Sequence, residues 1–144
     1  MSNFHVEVGD NVSFTKTVSE SDVYLFAGIT GDLAPNHVND EYMKRSKYGK
    51  RMVHGALLVG FISTASTMAI EKSRSSKEET PVAVGFDRVR FIMPVFLGET
   101  ITVTYTVDSI DLERRRSMAD VKIVNQDGTL VCVATHLLQW VKNE

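Results

Sequence analysis

The sequence predicts an α+β fold: one domain in which an antiparallel β-sheet wraps around a long central helix. Three observations carry this expectation. Residues 56–70, ALLVGFISTASTMAI, place Ala, Leu, Val, Phe, Ile and Met around the whole helical wheel, and a helix without a consistent polar face is buried on most sides. From Pro81 onward the apolar period changes to two, as in half-buried antiparallel strands. No repeat or linker divides the 144 residues, a length suited to one domain (1–144) with a core of its own.

The elements follow in order. Asp10–Asn11 reads as a turn before a short alternating strand, Val12 to Val18. Ser19 is an expected helix N-cap with Asp22 completing a capping box, Val23, Phe26 and Ala27 form the apolar face, and Gly28 is the expected end. A loop containing GDLAPNH (residues 31–37) comes next, then a second cap, Asn39, for a short helix from Glu41 to Lys47 ended by Gly49. His54–Gly55 opens the long buried helix, and the polar stretch SRSSKEET (73–80) behind it is an expected mobile surface loop. Thr100 to Val107 alternates Thr with Ile, Val and Tyr. Val121 and Ile123 continue the pattern, Asp127–Gly128 signals a two-residue hairpin, and Leu130 to Val141 is the last strand.

Bulk chemistry narrows the function classes. Sixteen basic and eighteen acidic residues give a formal charge of −2, so the net basic footprint of a nucleic-acid binder is absent. The longest apolar run is interrupted by Ser and Thr and is short for a bilayer span, and the first ten residues, MSNFHVEVGD, lack a secretory pattern. No membrane or nucleic-acid partner is expected, and the compartment is expected to be the cytoplasm. The single cysteine, Cys132, lies in an apolar strand-like run and reads as a small core residue. Trp140 and Met68 are also expected in the core. Arg114, Arg115 and Arg116 read as a solvated hairpin tip, and Arg88 and Arg90 flank a strand near the site considered next. His5 and His136 have no partner at metal-ligand spacing, so neither metal nor cofactor is expected.

The chemistry-bearing residues cluster between positions 28 and 63. Asp32 and His37 lie five apart, and on a regular helix they would point about 140° from one another. Pro35 disfavours the helical conformation at Ala34, so a bent loop can bring both side chains to a single water. Imidazole and carboxylate together can take a proton from water and deliver one to carbon. The bland alternative is an Asx-turn at Asp32 and Asn36 with a structural histidine at 37. Gly55 at the helix start leaves a free N–H at the positive end of the dipole, able to polarise a carbonyl, or is simply a loop-to-helix glycine. Ser63, inside the same helix, can bond back to the Val59 carbonyl.

YLFAG (24–28), TGDLAPNH (30–37), Tyr42, YGKRMVHGALLVG (48–60) and VRFIMPVFLGETI (89–101) together resemble the signature of the MaoC-like, R-specific enoyl-CoA hydratases. The resemblance implies a hot-dog fold, which agrees with the architecture read from periodicity. It further implies that Asp32 and His37 are a catalytic dyad, that the N–H of Gly55 binds the thioester carbonyl, and that Ser63 and His54 support the pocket. The implied reaction adds water to a trans-2-enoyl thioester of CoA or acyl carrier protein, reversibly, giving an (R)-3-hydroxyacyl thioester. No metal is implied. Ala34 stands where the motif commonly has Asn, Asn36 where it has an aliphatic residue, and Asn39 where it has Asp. A hot-dog sheet exposes an edge and leaves part of its helix uncovered, so a homodimer or higher oligomer is expected. Two other readings fit the same residues: a hot-dog acyl-CoA thioesterase, and a non-catalytic acyl-CoA-binding or partner-supporting subunit.

Overall fold

The computed structural model describes residues 4–73 and 76–144. In chain order the elements are β1 (Asn11–Thr17), α1 (Glu20–Thr30), α2 (Pro35–Val38), α3 (Asp40–Lys44), α4 (Gly55–Ala69), β2 (Glu79–Phe91), β3 (Thr100–Asp111), β4 (Arg116–Val124) and β5 (Leu130–Lys142). The strands form one antiparallel sheet in the order β1-β3-β4-β5-β2. The period-two segments therefore supply the three central strands, and β1 and β2 are the edges.

Alternation decides the two faces. Ile101, Val103, Tyr105 and Val107 on β3 and Val121 and Ile123 on β4 are buried and pack on Leu58, Phe61, Ile62 and Ala65 of α4. The intervening threonines face outward, where Thr15 and Thr17 of β1 bond to Thr102 and Thr100 across the pair at 3.0 and 2.7 Å. Cys132 and Trp140 are core residues, and burial pushes the Cys132 thiol up to about 11. None of the described helices is long and apolar enough to cross a membrane.

Several local expectations change. Helix α1 runs through Gly28 and ends at Gly31, whose φ of 81° and N–H bond to the Ala27 carbonyl (2.9 Å) make the left-handed cap; Gly28 has helical company on both sides and no such demand. The Ser19–Asp22 capping box forms as expected. Asn39 caps α3 through the Tyr42 N–H, but the helix is shorter than Glu41–Lys47 suggests and stops at Lys44. Asp127–Gly128 lies in a five-residue connection rather than a two-residue hairpin. Asn125 accepts from the N–H groups of Asp127 and Thr129, which widens the turn, and Gly128 takes the positive φ. Of the polar stretch 73–80, residues 74 and 75 lie outside the described residues, while Glu79 and Thr80 already belong to β2.

The largest correction concerns α4. Its sequence has no polar face, yet the sheet covers only one side, so Ala56, Gly60, Ser63, Thr64, Thr67 and Met68 are exposed in the single chain. Met68 is thus not core. The arginine turn is likewise not simply solvated. Arg115, in the left-handed region at φ 52°, forks onto the buried Glu79, which also accepts from His5 at 2.6 Å. The Arg115 guanidinium holds the Glu79 carboxyl down at about 2, against the opposing effect of burial.

Candidate active site

The loop that leaves α1 is built from local bonds. The Asp32 N–H donates to the Thr30 hydroxyl (3.2 Å), and the Ala34 N–H donates to Oδ1 of Asp32 (3.3 Å), the Asx-turn of the bland reading. Ala34 is extended (φ −56°, ψ 138°), and Pro35 occupies the first position of the one-turn helix α2, where its missing N–H costs nothing. That turn delivers His37, and its ring lies 9% exposed against the segment before α4.

Backbone carbonyls then orient both imidazoles. Nδ1 of His37 lies 2.8 Å from the Met52 carbonyl, and Nε2 of His54 lies 3.0 Å from the Asp32 carbonyl. A carbonyl can only accept, so these two nitrogens carry the protons. In the neutral rings the lone pairs are left on Nε2 of His37 and Nδ1 of His54, and the latter is buried with no partner among the described residues. The rings stack at 3.7 Å with planes 24° apart, and Phe26 closes on His54 from 4.7 Å. One carboxylate oxygen of Asp32 and one nitrogen from each histidine fall within 4.8 Å of one another. The three groups have the types of a metal set, but lone pairs lie in the ring planes, and two stacked rings direct them side by side rather than onto one ion. The same spacing suits one water held by Asp32 and His37.

Beside His37 lies a cavity of about 430 Å³, lined also by Asn36, Tyr48, Gly55, Phe91 and Met93. Gly55 is the first residue of α4, and the first N–H groups to bond back to the His54 carbonyl are those of Leu57 and Leu58. Among the described residues the Gly55 N–H is therefore an orphan donor of the helix start at the cavity wall. The structure thus brings Asp32, His37, His54 and Gly55 together. It does not bring Ser63 to them within one chain: Ser63 is on the exposed face of α4, away from the cavity lining, and its carbonyl accepts from the Ser66 hydroxyl at 3.2 Å. Asp32 itself is exposed in the single chain.

Comparison with known proteins decides the family. The profile described as "MaoC like domain" matches residues 4–127. The chain belongs to the MaoC-like domain family. Among curated relatives of this MaoC-like protein, the (R)-specific enoyl-CoA hydratase of Rhodospirillum rubrum is 35% identical over 111 residues, covering 76% of this chain and 72% of the relative. The 3-hydroxybutyryl-CoA dehydratase of Methylorubrum extorquens is 33% identical over 113 residues, 78% of this chain and 67% of the relative. Among solved structures, the R-hydratase of Pseudomonas aeruginosa superposes with a TM-score of 0.80 at 26% identity, covering 96% of this chain and 87% of that one. The (R)-hydratase of A. caviae gives 0.81 at 21% identity, with 93% and 96% covered, and shows the shared fold. The fold is the hot dog.

The MaoC-like site has one support that sequence reading missed. Arg51, with its side chain 11% exposed, bonds Glu20 (2.6 Å), the Tyr24 hydroxyl (2.7 Å) and Asp40 (2.7 Å) at once. These carboxylates, Glu20 first, hold the guanidinium pKa above its ordinary value. Arg51 thereby ties α1 to α3 on either side of the 31–37 loop. The next residue, Met52, accepts from His37 and donates its N–H to the Asn36 carbonyl at 2.9 Å. The available signal was an arginine one residue before the segment that meets His37, with acids at 20 and 40 too distant in sequence to be paired with it.

Proposed function

We propose that this MaoC-like protein is a hydro-lyase that adds water to trans-2-enoyl thioesters, or removes it from (R)-3-hydroxyacyl thioesters, with Asp32 and His37 as the catalytic pair. The observation that carries this reading is the approach of Asp32, His37 and His54 to within 4.8 Å beside a cavity whose wall holds the free N–H of Gly55. The curated relatives named as an (R)-specific hydratase and a 3-hydroxybutyryl-CoA dehydratase support the same chemistry.

In the forward direction, the thioester oxygen rests on the Gly55 N–H, where the helix start stabilises the charge that develops on it. Water is held between Asp32 and the free Nε2 of His37. Its oxygen bonds to C3, one of its protons passes to the pair, and a proton from the pair goes to C2. The carbon–carbon double bond becomes single, and the atoms balance as enoyl thioester plus water. CoA and acyl carrier protein present the same thioester to these groups.

The surface left open supports a homodimer. The open α4 face carries the small residues Gly60, Ser63, Thr64 and Thr67, and edge strand β2 exposes Val82 and Val84, whereas the other edge, β1, exposes Asn11, Ser13, Thr15 and Thr17. A second copy against α4 and β2 would bring Ser63 into an interior. The buried free thiol of Cys132 suits the cytoplasm.

Adding the protein to trans-2-butenoyl-CoA should lower absorbance at the enoyl thioester band, with (R)-3-hydroxybutyryl-CoA as product. Asp32→Asn and His37→Ala should each reduce turnover by about 100-fold or more. Turnover that survives both substitutions rules out the pair, and release of free thiol would make the protein a thioesterase instead.

A further inference from the structure

Gly55 has a neighbour that a ligand-binding glycine does not require. A Cβ built on Gly55 meets three carbons of the Phe91 ring at 2.6, 2.7 and 2.9 Å. The ring therefore occupies the volume that any side chain at 55 would fill, directly beside the orphan N–H. Phe91 is the last residue of the edge strand β2, pairs with Cys132 so that its side chain projects to the α4 side of the sheet, and is still 54% exposed. One face of the ring lies on glycine at the cavity wall, and the rest is not encased by the core.

We infer that Phe91 is a specificity-determining residue whose ring limits the space around C2 of the acyl group, so that the enzyme accepts enoyl thioesters unsubstituted at C2 and rejects their 2-methyl analogues. This inference rests on the thioester reading given above. A carbonyl oxygen bonded to the Gly55 N–H sits about 2.9 Å from that nitrogen. C1 and C2 then lie one and two bonds further on, in the cavity that Gly55 and Phe91 line together. His37 bounds the same cavity, so the reacting carbons run between the glycine and the imidazole. A methyl branch at C2 adds volume where the ring carbons already touch the glycine. A close-packed wall discriminates by a single methyl group at about 10-fold or more. Phe91 is half-exposed in the single chain, so its truncation opens the wall while removing little of this chain's own core packing.

The experiment compares kcat/KM for trans-2-butenoyl-CoA and trans-2-methyl-2-butenoyl-CoA in the full-length protein, Phe91→Leu and Phe91→Ala. The wild type should favour the unbranched substrate, and Phe91→Ala should reduce that preference about 10-fold, with Phe91→Leu between them. An unchanged ratio in an active Phe91→Ala protein overturns the inference. So does a folded Phe91→Ala protein that turns over neither substrate, because the ring would then orient the thioester rather than bound its space. A wild type inactive on the unbranched substrate overturns the hydratase reading itself, and this inference with it. The packing premise has a readout free of activity: Gly55→Ala should lower Tm, and the Gly55→Ala/Phe91→Ala pair should recover part of the loss. A double variant at or below the sum of the two single losses overturns the premise.

Discussion

His54 meets the candidate pair through its own contacts and does not line the cavity. Its Nε2–H holds the Asp32 carbonyl, and its ring lies flat on His37, so it fixes the separation of the pair from both sides. His54→Phe keeps the stacked ring and loses the donor. We expect kcat to fall about 10- to 100-fold through misplacement of Asp32, while Tm falls by the equivalent of about 1 kcal/mol for one hydrogen bond. Steady-state kinetics and thermal unfolding of the same variant check the two halves. At this scale the sequence names the candidate residues but not their bonds. The spacing of Asp32 and His37 was legible, whereas the acceptors that set both tautomers are backbone carbonyls, which carry no side-chain signature.

At the level of elements, the short helices α2 and α3 depend on a clamp. A helix of four or five residues is not stable alone, and Arg51 holds α1 and α3 around α2. Its partners Glu20 and Asp40 are exposed, so water screens the pairs, and Arg51→Gln should cost only about 1 kcal/mol of stability. Activity should suffer more: kcat is expected to fall with little change in KM, because the loop carrying Asp32 and His37 loosens while the Gly55 wall stays. Arg51→Lys, which keeps charge but not the planar fork, should restore stability better than kcat. Equal losses of kcat in a distant surface control would show that the clamp is unrelated to the site. The caps of these elements were legible in Ser19, Asp22 and Asn39. The end of α1 was misjudged because two glycines, 28 and 31, compete, and only the path into the loop selects the one with positive φ.

The whole molecule adds pH dependence and assembly. His136 is fully buried, bonds the Tyr105 hydroxyl at 2.8 Å, and is pushed down to about 4 by burial. An unfolded histidine titrates near 6.5, so as pH falls the unfolded chain takes up that proton first. The stability that neutral His136 supplies is complete above pH 6.5 and is lost between 6.5 and about 4. Glu79, held at about 2 against an ordinary 4.5, gives a second, lower window: its contribution is complete above pH 4.5 and is lost on acidification toward 2. Urea midpoints measured across pH 2–7 should show both falls, and Glu79→Gln should remove only the lower. For assembly, Thr64→Arg on the open face of α4 should yield a monomer in sedimentation and lose hydration activity together. An active monomer would contradict a site completed by two copies.

Sequence alone determined the layers of this protein. Apolar residues in period two and a helix with no polar side leave few solutions other than a sheet curved around that helix, because burial of apolar area is the dominant favourable term. It also determined the chemical types at the site, since Asp, His and an N-terminal glycine have few equivalents. Only tertiary structure decided which side of α4 is covered, and hence that Ser63 and Met68 are exposed in one chain, because burial depends on what packs opposite a residue and not on its own polarity. Only tertiary structure, too, brought Phe91 onto Gly55 and Arg51 onto Glu20 and Asp40. Such contacts join positions 11 to 36 residues apart, and a local pattern holds no record of the partner that folding supplies.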